Sequence, residues 1–195
     1  MATTVEVLSE AFDEMGTPFI VGHPGGETVE LMEAARNRQV RFILMKQETA
    51  GAMLASTWGE ITGSPGVCVS TRGPGAANMV NGVAHAWMDR APLIAINDQY
   101  PGATLETGMR QVMNQHALFA PITKWQTTIH AKSVRQQIRR AIRVTTSPTP
   151  GPVQFDMPSN ETMNEASGSV AEAPLLPNIV PIEPDRKALE VPLQA

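Results

Sequence analysis

Three short loops hold the residue types in this chain that could do chemistry. The first is Gly22-His23-Pro24-Gly25-Gly26, where adjacent glycines let a backbone approach a ligand closely and His23 could move a proton. The second is Lys46-Gln47-Glu48-Thr49, which places the Glu48 carboxylate just past an apolar run, at the start of a helix. A carboxylate there is favoured by about 0.3–1 kcal/mol whether or not it has a further role, so position alone does not separate a proton-transfer group from a helix-end charge. The third is Thr71-Arg72-Gly73-Pro74-Gly75-Ala76-Ala77-Asn78. It nearly matches the dinucleotide fingerprint G-x-G-x-x-G, and Asp98 stands about 20 residues on, where a ribose-binding acid belongs. Asn78 replaces the third glycine, however, and the motif follows a third strand instead of a first. Other chemistries lack their residues. There is no G-x-x-x-x-G-K-[S/T] phosphate loop and no G-x-S-x-G elbow, and His23, His85, His116 and His130 are scattered with no zinc-ligand spacing.

The elements around these loops alternate. Apolar runs at 18–22, 40–45, 66–70 and 92–97 read as strands, with 125–129 a weaker strand and 153–157 a last one. Helices are predicted over 27–36, 48–59, 76–88 and 131–145, with a short helix or turn at 115–121 and an irregular stretch from 98 to 114. The stronger strand runs are continuously apolar and do not alternate with polar residues, as burial on both faces requires. The expected fold is therefore α/β, a doubly wound, mainly parallel sheet of about six strands with helices on both faces. In such a sheet the ligand lies beyond the carboxyl ends of the strands, where the three loops fall. Residues 1–160 are expected as one domain, and residues 161–195, punctuated by Pro174, Pro177, Pro181, Pro184 and Pro192, as a linker or arm.

Composition narrows the function. A 195-residue chain that is 42% hydrophobic can bury a sizeable core. Its net charge of −4 argues against a nucleic-acid partner, and the arginines at 135, 139, 140 and 143 read as a solvated helix face. The single cysteine, Cys68, excludes an internal disulfide and reads as a small buried hydrophobe. With no apolar run long enough for a bilayer and no leader pattern, a cytoplasmic location with no membrane contact is expected.

Taken together, GHPGG (22–26), KQETAGAMLASTWGEITGSPGVCVSTRGPGAANMVNGVAHAWMDRAPLIAIN (46–97), LFAPITKW (118–125) and GPVQFDMPSNE (151–161) resemble the N-terminal, pyrimidine-binding domain of thiamine-diphosphate enzymes of the acetolactate synthase type. Benzoylformate decarboxylase, oxalyl-CoA decarboxylase and glyoxylate carboligase belong to the same group. The resemblance implies that Glu48 is the catalytic carboxyl: it hydrogen-bonds N1′ of the aminopyrimidine and drives the amino–imino exchange that leads to loss of the thiazolium C2 proton. Such a group works best partly desolvated. The resemblance further implies that Pro24 and Gly25 line the pyrimidine side, that Gly73, Pro74 and Asn78 lie near the cofactor of the paired subunit, and that Gln111 approaches the active centre. His23 and Arg72 are left as candidates for proton transfer or for binding a substrate.

Several positions depart from the family pattern. Gln47-Glu48-Thr49 stands where His-Glu-Gln is common, Arg72 where a serine is usual, and Arg110 and Val112 where Phe and Glu flank the glutamine. Arg72 or Arg110 is thus either a site for a substrate carboxylate or an ion-pair residue. The chain contains no Gly-Asp-Gly, the family's motif for binding diphosphate through Mg²⁺, so that ion implies another domain or subunit. FAD is possible in a complete enzyme and unsupported by these residues; no metal site is expected in this chain. The implied whole is a homodimer or higher oligomer acting on a small 2-oxo acid or acyl substrate. The competing expectations are a catalytically inactive binding module of the same fold and a dinucleotide-binding domain.

Overall fold

The computed structural model describes residues 2–108 and 110–167. Its centre is a six-stranded sheet built from β1 (Phe19–His23), β2 (Arg41–Leu44), β3 (Gly66–Ser70), β4 (Leu93–Gln99), β5 (Trp125–Thr128) and β6 (Pro152–Pro158). The order across the sheet is β2-β1-β3-β4-β6-β5, and every neighbouring pair is parallel. Parallel neighbours need crossovers. These are supplied by α2 (Val29–Asn37), α3 (Glu48–Thr62), α4 (Pro74–Met88) and α7 (Val134–Thr146), with α1 (Thr4–Glu14) ahead of β1. The short helices α5 (Gly102–Leu105) and α6 (Gln115–Phe119) lie between β4 and β5.

The sheet is covered on both faces, and successive strand residues divide between two cores. Val67 and Val69 of β3 and Ile94 and Ile96 of β4 pack with Leu8 and Phe12 of α1, Leu31 of α2 and Ile142 of α7. The residues between them, Cys68, Leu93 and Ala95, face Ala52 and Ala55 of α3 and Ala76, Met79 and Val83 of α4. This is why the strands read as unbroken apolar runs. The second core is built from small side chains, which lets α3 and α4 approach closely. A Cβ on Gly82 of α4 would stand 2.5 Å from the Ala52 Cβ and 2.6 Å from the Thr49 carbonyl oxygen.

The predicted strand and helix positions agree with the fold to within a few residues, with three differences. The stretch expected to be irregular from 98 to 114 holds the end of β4 and the short helix α5. Helix α1 is not among the predicted elements, although Thr3-x-x-Glu6 marks its start. Glu6 N–H donates to Thr3 Oγ1, and Thr3 N–H donates to Glu6 Oε2 at 2.7 Å. Beyond residue 160, the first stretch of the expected arm is packed on the domain. The carbonyls of Thr162 and Asn164 accept from the first-turn N–H groups of Val5 and Thr4, donors that no carbonyl within α1 can reach. Ala166 is buried there. Residues 168–195, with the proline-rich arm, lie outside the described residues. On α7, Arg140 lies over the Trp125 ring at 4.6 Å and Arg135 reaches Glu10 at 3.9 Å.

Candidate active site

Glu48 is the first residue of α3, four residues past the end of β2, and the strand-to-helix turn brings it to the carboxyl end of the sheet. It is 9% exposed, low for an acidic residue. The β3–α4 turn comes to the same place. Asn78, in the second turn of α4, donates from Nδ2 to Glu48 Oε2. Thr49 Oγ1 donates in return to the Asn78 carbonyl, so α3 and α4 are tied twice at the site. The other oxygen, Glu48 Oε1, faces the bare Cα of Gly75: a Cβ there would lie 3.2 Å from Oε1 and 2.5 Å from Thr71 Oγ1. The carboxylate thus adjoins the first turns of two helices, each presenting partial positive charge.

Gly73 starts α4 with φ 62, a left-handed conformation that a side chain resists, and Pro74 follows at the first helical position. Its Cα is also pressed by the next loop, since an added Cβ would fall 2.5 Å from the Gln111 carbonyl oxygen. Gln111 itself is exposed and has φ 57. Of the first loop, His23 is exposed and its Nδ1 lies 2.9 Å from the Met45 carbonyl. That oxygen only accepts, so the proton is on Nδ1 and Nε2 is the free ring nitrogen. Pro24 and Gly25 are half-buried, and Thr28 Oγ1 bridges both backbone groups of Gly25, at 3.1 and 2.9 Å. Glu48, Thr71, Gly75 and Asn78 therefore converge. The His23–Gly25 loop lies at the same end of the sheet.

Arg72 is neither a surface residue nor an open anchor for a substrate carboxylate. It is 6% exposed, its Nε is 3.1 Å from Asp98 Oδ2, and its guanidinium lies 3.9 Å from the Tyr100 ring centroid. Asp98 is fully buried by this arrangement. The acid expected to meet a ribose is consequently committed to Arg72, which removes the main support for a dinucleotide site. Arg110, by contrast, is exposed. Cys68 is buried, 3.6 Å from Met79 Sδ, and desolvation pushes its thiol far above the usual range. Among the described residues, no three His, Cys, Asp or Glu side chains are placed to share a metal ion, and no helix is long and apolar enough to cross a membrane.

The resemblance implies a carboxyl at Glu48, at the mouth of a doubly wound sheet, and comparison with known proteins decides the family. The family described as thiamine pyrophosphate enzyme, N-terminal TPP binding domain, matches residues 2–118. The chain belongs to that family. It is 35% identical over 156 residues to the "Probable acetolactate synthase large subunit" of Methanocaldococcus jannaschii, covering 80% of this chain and 26% of the relative. It is 31% identical over 190 residues to the chloroplastic acetolactate synthase of Arabidopsis thaliana, covering 95% of this chain and 28% of the relative. The chain thus spans about a quarter of the length of these relatives. A solved thiamine diphosphate-dependent 4-hydroxybenzoylformate decarboxylase of Rhodococcus jostii RHA1 superposes with a TM-score of 0.83 at 22% identity, over 99% of this chain and 37% of that one. At that identity the likeness establishes the fold.

One buried residue of the site has no signal in the local sequence. Gln115 opens α6 in a short polar stretch, yet it is 1% exposed and reaches the Gly73 turn. Only its neighbour Gln111 falls in a recognisable motif.

Proposed function

We propose that this domain holds the aminopyrimidine of thiamine diphosphate, with Glu48 as the carboxyl that exchanges a proton with it, within a 2-oxo acid decarboxylase or carboligase. The observation that carries the reading is the state of Glu48: nearly buried, oriented through Oε2 by Asn78, with Oε1 over the uncovered Gly75 backbone. Those residues fit a flat, weakly basic heterocycle, because a carboxyl held in one orientation by Asn78 and seated against the bare Gly75 Cα can meet a ring nitrogen edge-on. When bound, the cofactor supplies a nucleophilic carbon and an electron sink for 2-oxo acid chemistry. Glu48 holds or releases the proton at its carboxyl, Asn78 keeps the carboxyl from rotating, and the low exposure of Glu48 itself limits competition by water there. His23 Nε2 and the Pro24–Gly25 backbone flank the same end of the sheet and are the residues assigned to the substrate and pyrimidine sides; Gly73, Pro74 and Gln111 shape the opposite wall.

The diphosphate and its Mg²⁺ need a second domain, since this chain has no Gly-Asp-Gly. Large apolar side chains support a covered surface at the site's end of the sheet: Leu44 is 66% exposed, Val29 53% and Val112 42%. We assign that surface to another subunit or domain of a cytoplasmic oligomer. The test is Glu48→Gln, assayed by 2-oxo acid turnover with the diphosphate-binding domain supplied. The expected loss is about 10²-fold or more, and near-normal turnover would defeat the assignment.

A further inference from the structure

We infer that Gln115 is a positioning residue for the Glu48 site: its carboxamide fixes the turn that starts α4 and thereby aims Gly75 and Asn78 at the carboxylate. The inference rests on the reading of Glu48 as the working carboxyl. Its geometric content is independent of any cofactor.

Gly73 stands at the cap position of α4 and has no side chain with which to cap it. Its N–H is one of the donors that no helix carbonyl can satisfy, and Pro74 beside it has none to offer. Gln115 Oε1 accepts the Gly73 N–H at 3.0 Å. The same carboxamide donates from Nε2 to Asp156 Oδ1 at 2.7 Å and to the Asp98 carbonyl at 3.2 Å. One buried side chain therefore ties the start of α4 to β4 and to β6. Asp156 is held in turn by Gln154 Nε2 at 2.8 Å, and Gln154 reaches Asn97 Oδ1 at 3.0 Å. His116 Nε2 lies 3.4 Å from the other Asp156 oxygen. The anchor is thus a buried polar network at the carboxyl ends of the central strands, centred on the Gln115 carboxamide and the Asp156 carboxylate.

Its lever arm is short. Two residues after Gly73 comes Gly75, against Glu48 Oε1, and three residues later Asn78, the donor to Glu48 Oε2. The Gly73 backbone has a left-handed φ of 62; its carbonyl accepts from Ala77 N–H at 2.8 Å, and its own N–H is held by Gln115. If the carboxamide is lost, the turn can rotate, and the Asn78 amide leaves the line of the carboxylate while the strands beneath stay packed through Val69, Ile94 and Ile96.

The experiment uses the full chain labelled with ¹⁵N and compares wild type, Gln115→Ala, Gln115→Glu, Gln115→Met and Glu48→Gln. Amide hydrogen exchange at Gly73 and the pH titration of the Asn78 side-chain NH₂ resonances, which report the neighbouring Glu48, are the readouts. Gln115→Ala is expected to lower Gly73 protection by about tenfold or more and to make the Asn78 resonances as insensitive to pH as they are in Glu48→Gln, with protection at Val69 and Ile94 unchanged. Gln115→Glu keeps an acceptor for Gly73 but sets a carboxylate against Asp156 Oδ1 and the Asp98 carbonyl, so it is expected to lose that protection as well. Gln115→Met, which keeps the length without the hydrogen bonds, replaces the alanine variant if that one does not fold, with the same expected outcome. Unchanged Gly73 protection and Asn78 titration in Gln115→Ala would overturn the inference. So would an equal loss at Gly73, Val69 and Ile94, which would make Gln115 a core residue only. None of these readouts involves thiamine diphosphate, so a failure of the cofactor reading shows separately, as normal turnover in Glu48→Gln.

Discussion

Replacing Gly82 by alanine tests how closely the two helices that carry Glu48 and Asn78 must approach. Alanine is favoured over glycine inside a helix by about 1 kcal/mol, so an unobstructed change would stabilise the chain. Here the added Cβ would meet the Ala52 Cβ at 2.5 Å, the Thr49 carbonyl oxygen at 2.6 Å and the Met53 nitrogen at 3.2 Å. Carbon contacts are comfortable at about 3.5–4.0 Å, so α4 must withdraw from α3 by roughly 1 Å. Two of the three obstructing atoms are backbone, which cannot swing aside as a long side chain would. Overpacking of this kind costs about 1–3 kcal/mol. The withdrawal also stretches the bonds that join Asn78 to Glu48 and Thr49, one helical turn away, and a hydrogen bond to a charged group contributes about 1.5–3 kcal/mol. With the propensity gain subtracted and the hydrogen bonds stretched but not broken, so that they give up only about 1 kcal/mol, a net loss of about 1–3 kcal/mol remains. For a chain of this size that corresponds to a fall in Tm of roughly 2–12 °C. The assay is thermal unfolding followed by circular dichroism, with Gly102→Ala as the control, since nothing lies within 4 Å of a Cβ there. Ala52→Gly added to Gly82→Ala should restore only part of the loss, because the Thr49 carbonyl remains in the way. A Gly82→Ala chain that melts at or above the wild-type temperature refutes the close-approach argument.

Two further outcomes follow from the placement of single groups. The hydrogen bonds of the Thr3 cap hold the Glu6 carboxyl below its ordinary value of about 4.5, so its contribution is present above that pH and is lost as pH falls through the depressed value. The melting temperature of the wild type should therefore drop more steeply than that of Glu6→Gln between about pH 5 and pH 3, and parallel curves would show that the box contributes nothing; the group is exposed, so the difference should be small. Cys68 is buried and its thiol is driven upward by desolvation, so an aromatic disulfide reagent should label it only as fast as the chain opens. Rapid stoichiometric labelling of the folded chain would contradict that burial.

Much of the scaffold is legible locally. The run Gly66–Ser70 is apolar up to Ser70 and is β3 with the same bounds, because a strand buried on both faces is mostly apolar; β6 carries Gln154 and Asp156 in the same setting through their hydrogen bonds. Glu48 was readable as a helix-opening carboxylate beyond a strand, and it opens α3. Helix α1 was also encoded, by Thr3-x-x-Glu6, but a two-residue cap signal is easily overlooked beside long apolar runs. The loops in turn were recognisable as a set through their order and spacing, from which the family follows.

Pairings between distant residues were not legible. The partner of Arg72 is not legible in its own segment; the register of β3 against β4, with Ser70 opposite Asn97, brings it to Asp98. Asn78 and Glu48 are 30 residues apart, and their contact exists only because α3 and α4 close over small side chains. Gln115 shares its polar segment with the exposed Asn114 and Gln111, and nothing in its neighbours marks it as buried. The physical reason is common to all three. Apolar periodicity is a property of one segment, and it sets which face of that segment turns inward. Which polar groups then meet at the strand ends depends on the order β2-β1-β3-β4-β6-β5 and on the register of each parallel pair, and those are settled between segments 30 to 60 residues apart by how the two cores pack.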